Sequence, residues 1–94
     1  MYKVGNYSSI GDGAQVGDGT VIGNNVTIYP ETVIGENCVI ADCAVLGKPP
    51  KLAAKSTAST GQLNSLTIGS NCGIGAHTIL LTGTTVGDNC IVGD

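Results

Sequence analysis

The sequence predicts an all-β fold in which short parallel strands stack into a three-sided column of about five triangular coils. The first observation is an aliphatic residue at every sixth position from Val4 to Leu46. The second is a turn signal between these residues, usually Gly followed by Asp, Asn or Glu. Because a unit of six residues is too small to bury its own apolar side chains, only the stacking of repeats completes a core.

The series lapses after Leu46 and resumes with the same period at Ile68, Ile74, Leu80, Val86 and Val92. Three units make one coil, so coil one covers residues 4–21, coil two covers 22–39 and coil three begins at Ile40. From Leu46 to Ile68 is 22 residues, about ten more than the twelve that would finish coil three. We therefore predict one extruded loop over about 48–65, coil four over 68–85 and the start of coil five at Val86.

Within each unit, the aliphatic residue and the small residue four places later are predicted to point inward. The residue that follows the small residue, just before the next aliphatic, is predicted to point outward. The three remaining residues form the turn, where Gly and Asn accept a left-handed backbone. The third inward aliphatic of coil three falls in the irregular stretch after Leu46, and either Leu52 or a residue near Leu63 could supply it.

Ninety-four residues with three Tyr and no Phe or Trp predict one small domain, residues 1–94, with a core of thin aliphatic layers. Its coils span 4–47 and 66–94. Coil five is incomplete at Asp94, so we expect the C-terminal end to be truncated or capped by residues missing from this sequence, or the open coil to be covered by another copy of the chain.

The net charge of −3 and the absence of a large Lys/Arg cluster argue against a nucleic-acid partner. No apolar run approaches the ~20 residues of a membrane helix. Met1-Tyr2-Lys3 leads directly into the first repeat without a signal-peptide core. The expectation is a cytoplasmic protein without a membrane partner.

Four cysteines form no Cys-x-x-Cys pair, and one His cannot supply a three-His zinc site, so no metal is expected. Cys38, Cys72 and Cys90 occupy the small-residue slot of their repeats, which predicts buried, reduced thiols. Cys72 and Cys90 are one coil apart and could bridge if oxidised.

The repeat seen in Val16-Gly17-Asp18-Gly19-Thr20-Val21, with one loop leaving one coil, resembles that of the hexapeptide-repeat acyltransferases. The resemblance implies a left-handed parallel β-helix, an exception to the usual right-handed crossover. It also implies a homotrimer that holds acyl-CoA, such as acetyl-CoA, or an acyl-carrier substrate between neighbouring subunits.

Apolar residues at predicted outward positions support assembly, because a monomer would prefer polar residues there. They are Val21, Val33, Val39, Val45, Ile79 and Ile91. A trimer would bury some of them; the alternative is a β-rich surface that tolerates Val and Ile.

His77, the single histidine, is the candidate catalytic residue. A neutral imidazole can take the proton from an amine or hydroxyl that attacks a thioester. Counting one coil down from its turn puts Gly47-Lys48-Pro49 beneath it, and a further coil down puts Glu31 there, so the loop is predicted to leave beside the imidazole. The alternative is an exposed turn residue, because His tolerates a left-handed backbone.

Five residues are candidates for binding the substrate or the acyl donor. Lys48, Lys51 and Lys55 give the loop a positive field that could attract the phosphates of coenzyme A or a nucleotide sugar, or could simply keep the loop soluble. Gly83 lies late in an irregular turn, where a ligand could approach the backbone. Asp88 stands where similar acyltransferases carry the basic His, in the run Val86-Gly87-Asp88-Asn89-Cys90, and could orient an acceptor.

The sequence therefore predicts an acyl-CoA-dependent acyltransferase, in its favoured form an acetyltransferase acting on a sugar, a nucleotide sugar or another small amine or hydroxyl acceptor. The alternative is a non-catalytic, trimerising β-helix scaffold or one module of a larger enzyme.

Overall fold

The computed structural model of the protein describes residues 1–49 and 65–93. Across these two stretches the secondary structure consists of short parallel strands, and no helix that could cross a membrane is found. The strands are β1 Lys3–Val4, β2 Ser9–Ile10, β3 Gln15–Val16, β4 Val21–Ile22, β5 Thr27–Ile28, β6 Val33–Ile34, β7 Val39–Ile40, β8 Val45–Lys48, β9 Thr67–Ile68, β10 Gly73–Ile74, β11 Ile79–Leu81, β12 Thr85–Val86 and β13 Ile91–Val92.

These strands form three parallel sheets, one on each side of a prism. The first sheet contains β1, β4, β7, β10 and β13, the second contains β2, β5, β8 and β11, and the third contains β3, β6, β9 and β12. Each strand is followed by a strand in the next sheet, so the chain winds around the axis as a parallel β-helix, and this helix is left-handed. The predicted fold class is confirmed, with four complete coils and one strand of a fifth among the described residues.

The predicted numbering of the later coils was wrong by one face. Ile68 pairs with Ile34 in the third sheet, so Ile68 closes coil three instead of opening coil four. Coil four begins with β10, where Ile74 pairs with Ile40. Leu46 and Ile68 therefore occupy consecutive faces. Ile68 follows Leu46 by 22 positions, whereas six separate consecutive faces elsewhere, so the insertion is sixteen residues instead of ten. The extruded loop predicted for this segment consists mainly of residues 50–64, which lie outside the described residues.

The core is a stack of thin layers, as the six-residue pattern predicts. Each face contributes one aliphatic residue and one residue from the small-residue slot, and the buried apolar members are Ile22, Val26, Ile28, Ile34, Cys38, Ile40, Ala44, Leu46, Leu66, Ile68, Cys72 and Ile74. Ile68 provides the third inward aliphatic of coil three, with Leu66 in the preceding slot; Leu52 and Leu63 lie outside the described residues. Burial of each large aliphatic side chain contributes about 1.5–3 kcal/mol.

The three edges of the prism are called corners. The first corner joins the first and second sheets, the second corner joins the second and third sheets, and the third corner joins the third and first sheets. At the first corner Asn24 Oδ1 accepts a hydrogen bond from Asn6 N at 2.7 Å, and Asp42 Oδ1 accepts one from Asn24 N at 2.8 Å. At the third corner Ser70 Oγ accepts from Glu36 N at 3.0 Å. Polar turn side chains thus satisfy backbone donors of the coil below.

The second corner departs from this regular pattern. Gly47 has φ 84, β8 extends to Lys48, and the pairing of β11 with β8 shifts register between Leu80 and Leu81. Beneath Gly47 lies Thr32, whose Oγ1 is buried without a hydrogen-bond partner; within residues 1–49 and 65–93 no other buried side-chain N or O lacks one. The insertion after β8 is therefore accompanied by local irregularity in the coils on both sides.

Candidate functional site

His77 lies at the first corner, at the top of the turn between β10 and β11. Its backbone has φ 61, its side chain is exposed, and its N–H donates to the carbonyl oxygen of Asp42 at 3.1 Å. Tyr7, Asn25 and Cys43 share this left-handed conformation at the same turn position of the other coils, where a β-branched residue would be strained. An exposed imidazole is accessible to a substrate, as a general base must be.

The residues predicted beneath His77 are not found there. The pairing of Ile74 with Ile40 and of Ile79 with Val45 puts Cys43 directly below His77, and Asn25 and Tyr7 continue the same column. The prediction of Gly47-Lys48-Pro49 and Glu31 in that column was wrong, because the insertion moved coil four by one face. Leu81, at the second corner, follows His77 by four positions, which is roughly 13 Å of extended chain.

Lys48 and Gly83 are brought together, but at the second corner and away from His77. Leu81 is the strand partner of Lys48, and Thr82 N donates to the carbonyl oxygen of Lys48 at 3.1 Å. Gly83 has φ 84, in the left-handed region that glycine adopts most easily, and a Cβ there would meet nothing within 4 Å, so the space beside it is open. Lys51 and Lys55 lie outside the described residues.

Asp88 lies at the third corner, where it has a structural contact. Its Oδ1 accepts a hydrogen bond from Ser70 N at 2.8 Å, continuing the series of turn side chains at this corner. Asp88 is nevertheless exposed. The structure therefore separates the sequence-predicted residues into three groups: His77 at the first corner, Lys48 with Gly83 at the second, and Asp88 at the third.

The third corner carries most of the negative charge near the first sheet, with Asp18, Glu36 and Asp88 in its turns. The amine of Met1 donates a hydrogen bond to Asp18 Oδ1 at 2.9 Å and, with its positive charge, lowers the pKa of that carboxyl. In the part of the chain that the structure describes, no group of three or more His, Cys, Asp and Glu is arranged to hold a metal ion.

Cys43 is the residue that the sequence did not associate with the candidate site. It lies outside the small-residue slot and has φ 64 in the turn below His77. Its 34-residue separation from His77 equals one coil plus the insertion of sixteen. That relation could be recognised only once the length of the insertion was known.

The fold and its turns define a hexapeptide-repeat protein of the left-handed β-helix class. The sequence matches the family model described as bacterial transferase hexapeptide (six repeats) over residues 2–30, 13–48 and 65–94. These segments include well over half of the chain, and the protein belongs to this family. Among curated proteins no significant match is found.

The chain is similar to two solved structures. It is similar to UDP-N-acetylglucosamine O-acyltransferase (LpxA) from Moraxella catarrhalis RH4, with 25% identity, a TM-score of 0.61, and coverage of 99% of this chain and 42% of that one. A hexapeptide transferase family protein from Anaplasma phagocytophilum has 22% identity, a TM-score of 0.45, and coverage of 97% of this chain and 49% of that one. The chain thus spans less than half the length of either protein.

Proposed function

We propose that this protein is an acyltransferase that moves an acyl group from a thioester to a hydroxyl or amine of a small acceptor. The observation that carries the proposal is the family match, together with 25% identity across 99% of the chain to an O-acyltransferase of a nucleotide sugar. Its favoured form is transfer of an acetyl group from acetyl-CoA to a sugar or nucleotide sugar. Free thiols at all four cysteines are compatible with a cytoplasmic location.

In this proposal His77 is the general base. The neutral imidazole accepts the proton of the acceptor hydroxyl or amine as that atom attacks the thioester carbonyl. The imidazolium then returns the proton to the departing thiolate, which regenerates neutral His77. The exposed corner position of His77 leaves room for an acceptor and a donor to meet beside it.

We also propose a homotrimer that buries the first sheet, since members of this family are commonly trimeric. The outward residues of that sheet are Lys3, Val21, Val39, Gly73 and Ile91, and Val39 and Ile91 are 57% and 87% exposed. The third sheet presents Gln15, Val33, Thr67 and Thr85 and is more polar. Burial of the first sheet would leave the first corner, with His77, along the boundary between subunits.

The catalytic proposal is tested with His77→Asn, because Asn accepts the same left-handed backbone. We expect thioester turnover, measured as free coenzyme A released with an acceptor present, to fall by about 10²–10⁴-fold. Tyr7→Asn changes the same corner position three coils away and should keep the wild-type rate. A wild-type rate in His77→Asn would remove this residue from the mechanism.

The trimer is tested by Val39→Lys, which puts a charge in the proposed apolar interface, where burial is costly. We expect the wild-type chain to sediment as a trimer and Val39→Lys as a monomer at the same concentration. Thr67→Lys makes a similar change on the third sheet and should remain trimeric. A monomeric wild type, or a trimeric Val39→Lys variant, would contradict the assignment of this interface.

The second candidate function is a trimerising scaffold without catalysis. It is favoured by Asp88, which stands where similar acyltransferases carry the basic residue and already holds Ser70 N through its Oδ1. Acetyl-CoA distinguishes the two functions, because a ligand that binds only the folded chain raises the melting temperature. A folded trimer that shows neither a shift at millimolar acetyl-CoA nor thioester turnover would support the scaffold.

A further inference from the structure

The turn after β8 differs from the other turns of the prism. The three residues that follow each inward aliphatic residue are called the first, second and third turn positions. Within residues 1–49 and 65–93 each turn contains one left-handed residue, and in every turn but one this residue holds the third position. These residues are Tyr7, Gly13, Gly19, Asn25, Glu31, Asn37, Cys43, Asn71, His77, Gly83 and Asn89. After β8 the left-handed residue is Gly47, at the first position, and Pro49 holds the third.

Pro49 gives a physical reason for this difference. The proline ring fixes φ near about −65°, so Pro49 cannot adopt the left-handed backbone of the other turns. Proline also disfavours the α region at the residue before it, which keeps Lys48 extended. β8 accordingly continues to Lys48, which pairs with Leu81. The register of the two strands shifts at this point, so Gly47 forms a bulge.

The bulge removes a hydrogen bond that other coils make. Ser8, Thr20 and Thr78 each donate a hydroxyl proton to the carbonyl oxygen fifteen residues later. For Thr32 that oxygen belongs to Gly47, which lies directly over the hydroxyl, since a Cβ on Gly47 would collide with Thr32 Oγ1. Thr32 Oγ1 is nevertheless buried without a partner. The left-handed backbone of Gly47 therefore turns its carbonyl oxygen away from Thr32.

The bulge also shifts a backbone hydrogen bond between coils three and four by one residue. Elsewhere the third-position residue donates its N–H to the carbonyl oxygen of the second-position residue one coil below, as His77 does to Asp42 at 3.1 Å. At the second corner the donor to Lys48 O is Thr82, at 3.1 Å, and Thr82 holds the second position. A regular turn would have Gly83 as this donor.

We propose that Pro49 holds the second corner in this bulged arrangement and that a regular turn is its alternative conformation. In the regular turn Gly47 adopts the backbone of the other first-position residues, and its carbonyl oxygen accepts the proton of the Thr32 hydroxyl. Tyr29 and Leu81 hold the first position in the neighbouring coils without a left-handed backbone, so the second corner accommodates this geometry.

The two arrangements place Lys48 differently. In the bulged arrangement Lys48 is paired with Leu81 at the end of β8. In the regular turn it is the middle residue of the corner, and Gly83 N replaces Thr82 N as the donor to its carbonyl oxygen. The residue at position 49 thus decides where the exposed Lys48 lies and in which direction the chain enters the insertion.

The test combines substitutions at positions 32 and 49 of the full chain. Pro49→Asn introduces a residue that accepts the left-handed backbone. Thr32→Val should raise the melting temperature by about 4–8 °C in the wild type, where the hydroxyl has no partner, and lower it by about 4–8 °C in Pro49→Asn, where it has one. Pro30→Asn removes the proline from the second position of the turn one coil below and is the matched control. Thr32→Val should keep its stabilising effect in that background.

Amide hydrogen exchange gives a second readout. The Thr82 amide is protected in the wild type by its bond to Lys48 O. In Pro49→Asn it should exchange at least about tenfold faster, while the Gly83 amide becomes protected. The His77 amide, which is bonded at the first corner, should exchange at the same rate in both proteins.

Pro49→Gly gives the corner the same backbone freedom by a second route and should reproduce both results. If Thr32→Val has the same effect with and without Pro49, or if the Thr82 amide stays protected in both variants, the proline does not hold the bulge and the inference is overturned. Loss of folding in both variants would also overturn it, because the regular turn would then not be an accessible alternative. The change of sign together with the exchange of amide protection would support it. These measurements require no substrate, so their outcome is independent of the proposed function.

Discussion

Replacing Gly35 by Ala is expected to lower the free energy of unfolding by about 2–4 kcal/mol, because the new methyl group would enter the backbone of the next coil. A Cβ at Gly35 would lie 2.7 Å from Gly69 C and from Ser70 N. Those atoms belong to the turn stacked directly above and cannot rotate away. Relief requires the coils to separate locally, which weakens the hydrogen bond from Gly35 N to Ile68 O, now 2.8 Å long.

Gly87→Ala is the matched control for this prediction, because Gly87 holds the same turn position at the third corner two coils further on. A Cβ at Gly87 would meet only Cys90 Sγ, at 4.0 Å, and its backbone does not have a positive φ. We therefore expect unchanged stability or a gain of up to about 1 kcal/mol, from the reduced entropy of the unfolded chain. Urea denaturation at one fixed protein concentration measures the free energy of unfolding of both variants. A change of 1 kcal/mol corresponds to a shift of about 4–8 °C in melting temperature. Equal stability of the two variants would contradict the close stacking of the third corner.

Two chemically identical substitutions, Thr20→Val and Thr32→Val, are expected to have opposite effects. Thr20 Oγ1 donates to Gly35 O at 2.8 Å and accepts from Cys38 N at 3.1 Å. Valine would leave both backbone groups buried without that partner, at a cost of about 2–4 kcal/mol. Thr32 is equally buried, at 1% exposure, but its Oγ1 has no partner. Valine there removes an unsatisfied hydroxyl and should stabilise by about 1 kcal/mol.

The unpartnered Thr32 hydroxyl has a structural cause. Ser8, Thr20 and Thr78 each donate to the carbonyl oxygen fifteen residues later, on Gly23, Gly35 and Gly93. Fifteen residues after Thr32 is Gly47, whose φ of 84 departs from the backbone of the other coils at that point. Chemical denaturation of both variants tests this account. If Thr32→Val loses as much stability as Thr20→Val, the Thr32 hydroxyl is hydrogen-bonded in solution and the account is wrong.

The insertion at the irregular second corner also decides which residues stack beneath His77. From the sequence, His77 was recognised as a candidate base or an exposed turn residue, and Gly83 as a place where a ligand could approach the backbone, because turn chemistry is local. The partners of these residues were not predictable, since they come from the next coil. The inferred neighbour of His77 was the root of the loop, whereas the structure puts Cys43 there and puts Lys48 beside Leu81.

The sequence by itself determined the shape of each coil. A period of six sets Ile40 inward, Val39 outward and a left-handed residue in the turn, because each choice depends on backbone geometry within a few residues. The tertiary structure alone decided which coils meet after the insertion. Leu46 and Ile68 are 22 positions apart, which is not a multiple of six, so the repeat alone does not tell on which face Ile68 lies. The pairing of Ile68 with Ile34 assigns it to the third face. That assignment determines the residues stacked beneath His77.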